Sequence, residues 1–231
     1  MFDAHRHLSN EQATKNALYA TSKPSEWPRL QHRGLLALGG IGVLPSELPF
    51  DDTVLYEHLV ANPGFLIAEV GLDRRSPDRE GQLAFLAEIL HIGFELGRSI
   101  SLHCVREDGL LLSLLRAQRR RLPPLLWHGC TASIEAIKEA VGYGVIPSYG
   151  PNIYNSRLVG HMQHIKTLPF ALETDFTGDE GDYERMFTEH IQAFCSLSGC
   201  SEEQLEKHND EIRAILTHNQ TSRCKCRPLL A

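Results

Sequence analysis

The chain has 231 residues, of which 42% are hydrophobic and 23% charged, and its 23 basic against 29 acidic side chains give a formal charge of −6. That apolar content excludes a disordered chain, which cannot bury enough surface to offset its entropy, and the acidic balance excludes an extensive basic groove for nucleic acid. No apolar run reaches the roughly 18 residues of a membrane-spanning helix, so no membrane association is expected. Six cysteines without regular spacing point to a reducing compartment. Met1-Phe2 leads directly into Asp3-Ala4-His5-Arg6-His7, so no secretory leader is expected and the cytoplasm is the expected location. Twelve histidines are the unusual feature of the composition.

In chain order, short apolar runs at residues 1–3, 17–21, 34–40, 65–71, 99–105, 125–128, 144–149 and 169–173 read as strands. Helical patterns lie between and after them. Residues 80–97 carry Leu83, Leu86, Ile89, Leu90 and Phe94 on one face, and 108–121, 133–142 and 155–166 behave similarly. The tail offers helices at 180–196 and 201–217, the second opened by a Ser201/Gln204 capping box. Gly97, Gly142 and Gly199 sit where left-handed caps are expected. Repeated βα units predict a parallel sheet, and eight of them in one 231-residue domain predict a small (β/α)8 barrel, with a doubly wound open sheet as the alternative. Only about nine residues, Leu8 to Asn16, separate the first two strands, so the first helix is expected to be trimmed or missing. No linker or repeat divides the chain.

The reactive residues cluster at the predicted strand ends. With a side-chain period of two, Asp3, His5 and His7 share a face, so two imidazoles can converge on one cation. Glu69 lies inside the apolar run Leu66-Ile67-Ala68-Glu69-Val70-Gly71, where an unpaired carboxylate would cost several kcal/mol and therefore needs a cation or strong donors. His103, His128 and the pair Glu173/Asp175 close later strands, and Asp175 is the carboxylate expected to reach the centre. Taken singly, each of these residues also fits a hydrogen-bonded structural role. In a parallel barrel all of these ends open on one face. Four imidazoles and two carboxylates suit zinc, magnesium or manganese, and six ligands point to two ions about 3.5–4 Å apart.

These blocks resemble the motifs of TatD-family metal-dependent hydrolases within the amidohydrolase superfamily. The resemblance rests on Asp3 to Leu8, Ala68 to Asp73, Leu102 to Arg106, His128 to Ser133, Ile146 to Asn152 and Glu173 to Asp175, in order along nearly the whole chain. It implies that His5 and His7 hold one ion with Asp175, that His103 and His128 hold the other, and that Glu69 bridges them. It also implies that Asp175 acts as the base for the attacking water and that the activity is deoxyribonuclease or phosphodiesterase. Arg74 and Arg106, just beyond these strands, are candidates to meet a substrate phosphate. DNA ends or a small phosphoester are the expected substrates, and no stable protein partner is expected.

The chain departs from the family pattern in places. A histidine is missing from Gly40-Ile41-Gly42-Val43-Leu44-Pro45, Thr131-Ala132 replaces Ser-Gly, Phe176-Thr177 lacks a proline, and Arg106 lies one residue further along. An enzyme acting on an amide, lactone or small phosphoester, or an inert metal-binding protein, is the alternative reading. The arginines at 116, 119, 120 and 121 read as a solvated helix end, and Cys224-Lys225-Cys226 offers too few ligands for a zinc site.

Overall fold

A computed structural model describes residues 1–8, 15–32, 37–178 and 180–222, without the side chains of 32, 180 and 218–222. Eight parallel strands follow one another around a barrel in sequence order: β1 (Asp3–His7), β2 (Ala17–Ala20), β3 (Leu38–Ile41), β4 (Phe65–Asp73), β5 (Ile100–Val105), β6 (Leu125–Trp127), β7 (Val145–Tyr149) and β8 (Ala171–Leu172). The helices are α1 (Asp52–Ala61), α2 (Arg79–Leu96), α3 (Asp108–Gln118), α4 (Ile134–Gly142), α5 (Met162–Ile165), α6 (Glu180–Ser198) and α7 (Glu202–Ser222). This is the expected (β/α)8 fold. The segment that would carry the first helix, 9–14, and the Cys224/Cys226 tail lie outside the described residues.

The lumen is apolar below and polar above. Phe2, Ala4, Leu18, Leu66, Leu126, Ile146 and Ala171 pack together, and Ile212 and Leu216 of α7 close this end like a stopper. A second, larger apolar layer lies between strands and helices and includes Ile67 and Leu102 of the strands with Leu86, Ile89 and Leu111 of the helices. Each fully buried side chain of this size contributes roughly 1.5–3 kcal/mol.

The barrel closes at its shortest strand, β8. Beyond β8 the chain still pairs with β1, since Asp175 N–H donates to His5 O at 3.0 Å and His7 N–H to Phe176 O at 2.9 Å. The buried Asp3 carboxylate accepts from Thr174 N–H at 3.0 Å and Thr174 Oγ1 at 2.6 Å. Below, buried Asn209 of α7 donates to Phe2 O at 2.7 Å and Leu172 O at 2.9 Å and accepts from Leu172 N–H at 3.1 Å. One amide thus spans the gap between the first and last strands.

Several local expectations are corrected. β1 covers residues 3–7 rather than 1–3, because an irregularity between Asp3 and Arg6 lets the chain continue pairing with β2. The 155–166 helix is broken into the 3-10 turn Arg157–His161 and the short α5. After α4 the left-handed residue is Gly144 (φ 84°), not Gly142, which is still helical. Gly97 and Gly199 do adopt the left-handed cap, and Ser201 and Gln204 form the capping box, with Ser201 N–H donating to Oε1 and Gln204 N–H to Oγ. Neither α1 nor the 3-10 turn Pro24–His32 was legible from periodicity. No helix among the described residues is long and apolar enough to cross a membrane.

Candidate metal centre

Two bulges aim the site inward. In β1, Ala4 belongs to the lower lumen, and the irregularity between Asp3 and Arg6 reverses the alternation so that His5 and His7 face inward above it. Asp3 therefore does not share their approach to the centre; it serves Thr174 instead. The buried Arg6 faces the other way, its guanidinium 3.9 Å from the centroid of the Tyr183 ring. In β4, Leu66 lies in the lower lumen and the register shift between Ile67 and Val70 turns Glu69 inward, with φ at 52°. Bulges re-aim side chains in this way next to active sites. Among the described residues only four non-glycine positions have positive φ, and three of them, Glu69, Arg106 (56°) and Asp175 (52°), line the site. Such conformations cost about 1–3 kcal/mol each and persist where surrounding contacts over-determine them.

Glu69 is the hub. Its Oε1 lies 2.7 Å from His5 Nε2, 3.2 Å from His128 Nε2 and 3.5 Å from His7 Nε2, and its Oε2 lies 3.3 Å from His103 Nδ1. Asp175 Oδ1 is 3.2 Å from His7 Nε2. All six expected ligands are therefore brought together, and donor atoms of His5, Glu69, His128 and Asp175 lie within 4.8 Å of one another.

Burial would push the Glu69 carboxyl up, but His128 and the hydrogen bonds from His103 and His5 hold it well below its usual range. Burial likewise opposes ionisation of Asp175, and His7, His128 and His5 outweigh it. Burial, assisted by His5, pushes His128 down to about 3, so this imidazole is neutral at physiological pH. Ionised carboxylates beside a neutral imidazole are the protonation states a metal ligand requires. The donor set is therefore chemically suited to a divalent cation.

A further ring of oxygen atoms backs the imidazoles. Ser101 Oγ lies 2.8 Å from His5 Nδ1, Ser22 Oγ 3.3 Å from His7 Nδ1, and Asp73 Oδ2 3.5 Å from His103 Nε2. Burial raises the Asp73 carboxyl, yet the hydrogen bonds of Arg75, one of them 2.7 Å long, bring it to about 2. Glu173 is fully buried, accepts from Gly129 N–H, and stands 3.9 Å from His128 Nδ1. Burial and the nearby Asp175 raise its carboxyl well above the usual range. Sequence reasoning assigned no site role to Ser22, Asp73 or Ser101. Ser101 had one usable signal, since it lies two residues before His103 and so on the same face of a strand.

Above the cluster opens a cavity of about 650 Å³, lined by Arg106, Arg75, Trp127, Asn152 and Asn155 together with His103, His128 and Asp175. Arg74 is exposed and does not line it. Cys104 and Cys130 adjoin the site, and burial pushes both thiols up, away from the nucleophilic thiolate.

A family model described as TatD related DNase matches residues 30–216. No protein of curated function matches the sequence. Among solved structures, the chain is similar to YjjV, a TatD homologue from Escherichia coli K12, with a TM-score of 0.73 and 20% identity over 88% of this chain and 86% of that one. A TatD-family hydrolase from Entamoeba histolytica gives a TM-score of 0.68 at 15% identity, covering 87% and 84% of the two chains. A TatD-like protein from Archaeoglobus fulgidus gives 0.66 at 14% identity, covering 94% and 99%. At these identities the structures speak for the fold, and the family rests on the match over most of the chain: the protein belongs to the TatD-related DNase family.

Proposed function

We propose that the protein is a cytoplasmic, metal-dependent phosphodiesterase that removes nucleotides from DNA ends or cleaves small phosphoesters. The observation that carries this reading is that four imidazoles each turn one nitrogen toward the ionised Glu69, with Asp175 alongside. His5, His7 and Asp175 would hold one divalent ion, His103 and His128 a second, with Glu69 shared between them. Zinc, magnesium and manganese all suit this nitrogen and oxygen set. Two such ions, when bound, polarise a phosphoester and make a water acidic enough to react at neutral pH.

The chain's own residues complete the chemistry. Asp175, ionised and at the open end of the cluster, is placed to orient an attacking water and accept its proton. Arg106 projects from the end of β5 beside the cavity, where its guanidinium can hold a non-bridging phosphate oxygen. Arg75 is already engaged by Asp73, and Arg74 stands further out. A 650 Å³ cavity with so few cations favours a strand end or a small phosphoester over a long duplex. The four free cysteines among the described residues support a reducing location.

The test is metal analysis of the purified protein together with hydrolysis of a linear oligonucleotide and a covalently closed circle. The wild type is expected to carry divalent metal and to degrade the linear substrate. Asp175→Asn is expected to keep the ion assigned to His103, His128 and Glu69, to hold the other more weakly, and to lose roughly 10²–10⁴-fold in turnover. Equal rates for the two proteins, or a wild type free of metal and indifferent to its addition, would overturn the proposal.

A further inference from the structure

His5 is the most enclosed of the four imidazoles, and its two nitrogens face chemically different partners. Nε2 meets the Glu69 carboxylate at 2.7 Å, and Nδ1 meets the Ser101 hydroxyl at 2.8 Å. Both His5 and Ser101 are buried in the lumen, 0% and 2% exposed, and they come from strands on different sides of the shared carboxylate. An ionised carboxylate only accepts hydrogen bonds, whereas a hydroxyl donates or accepts by turning about its C–O bond. With no cation between them, a proton on Nε2 points to Glu69, and the Ser101 hydroxyl is placed to donate to Nδ1 of that tautomer. With a cation on Nε2 the proton must sit on Nδ1, and the same hydroxyl turns to accept it. An acceptor-only side chain at this position would favour one of these states alone.

The other three imidazoles are backed differently. Ser22 faces His7 Nδ1 at the longer distance of 3.3 Å and is only half-buried. His103 is reversed, presenting Nδ1 to Glu69 and Nε2 to Asp73 at 3.5 Å. His128 Nδ1 is buried without a hydrogen-bond partner, the Glu173 carboxylate standing 3.9 Å away and beyond hydrogen-bond reach.

We propose that Ser101 is a positioning residue whose hydroxyl makes Nε2 the ligating atom of His5 and thereby sets the affinity of the ion held by His5, His7 and Asp175. The inference rests on reading the cluster as a metal centre. It reaches beyond the six ligands to a residue that touches neither ion nor substrate. Outer partners of this kind govern metal affinity by roughly 10–100-fold.

Zinc titration by calorimetry, with ¹⁵N-histidine NMR of the intact protein, tests both levels. In zinc-loaded wild type, His5 is expected to coordinate through Nε2 and to show a slowly exchanging Nδ1–H. In Ser101→Ala that proton signal is expected to be lost and one of the zinc affinities to weaken by roughly 10–100-fold. Ser22→Ala is expected to have a smaller effect. Superimposable isotherms for wild type and Ser101→Ala would overturn the inference while leaving the metal centre standing. So would zinc on Nδ1 of His5 in the wild type, a result that depends on no variant folding. A wild type that takes up no zinc, magnesium or manganese would overturn the metal centre and this inference together.

Discussion

The six candidate ligands were legible because imidazoles and carboxylates recur at predicted strand ends, and a glutamate inside an apolar strand needs a cation or several donors. Ser101 and Asp73 were not, since a serine or an aspartate near a strand end is unremarkable until its neighbour across the barrel is known. Gly71 lies between these two classes. Its φ is 158°, and a Cβ there would overlap the backbone carbonyl of His103. Because Gly71 is paired with His103, relief of that overlap is expected to displace β5 and the His103 imidazole. Gly71→Ala is expected to cost about 3 kcal/mol, combining overlap and backbone strain, and to weaken zinc binding. Urea denaturation and zinc titration check the two effects.

Among the elements, the order of the eight strands was readable from short apolar runs, although the run for β1 reached only Asp3, and the bulges in β1 and β4 were not readable. A period of two predicts alternation, and a one-residue irregularity reverses it without changing composition. Helix α1 escaped because Val54, Tyr56 and Val60 stay exposed while Leu55 and Leu59 are buried, so apolar residues surround the helix instead of marking one face. The broken 155–166 segment shows the converse, a helical pattern that the turns after β7 divide.

Helix α6 carries a pH-sensitive contact. His190 is 2% exposed, donates from Nε2 to Tyr149 O at 2.8 Å, and has Tyr154 Oη 2.8 Å from Nδ1. Burial lowers it to about 4, against the hydrogen bond to Tyr149. The unfolded chain, with an ordinary histidine near 6.5, binds the proton first, so stability is complete above about pH 6.5 and is lost as pH falls toward 4. Between pH 7 and 5 the loss from this residue is expected to be about 2 kcal/mol. His190→Gln should show a correspondingly smaller difference between urea midpoints at the two pH values.

At the scale of the molecule, the order of blocks along the chain revealed the barrel, because a (β/α)8 fold places strand ends on one face whatever their separation in sequence. The manner of closure was hidden, since it depends on Asn209, a polar residue within a helical pattern. An ion held by the candidate ligands, which come from at least four strands or their ends, would couple metal binding to folding. Saturation at about 100 times the dissociation constant adds roughly 2.7 kcal/mol, or about 5–10 °C in Tm for a protein of this size. Chelator is therefore expected to lower the wild-type Tm by that amount and to leave Glu69→Gln nearly unmoved, as differential scanning calorimetry would show.

The Asn209 clasp also fixes an order of events. Nascent chains emerge amino end first, so β1, with His5 and His7, leaves the ribosome long before the amide that ties Phe2 to Leu172. Until that helix arrives, the lower lumen lacks its Ile212 and Leu216 stopper, and the two ends of the sheet lack one of their ties. The histidines made first must therefore wait for the last described helix before their pocket is secured. Any cation these residues hold would be captured late in biosynthesis, once α7 has docked.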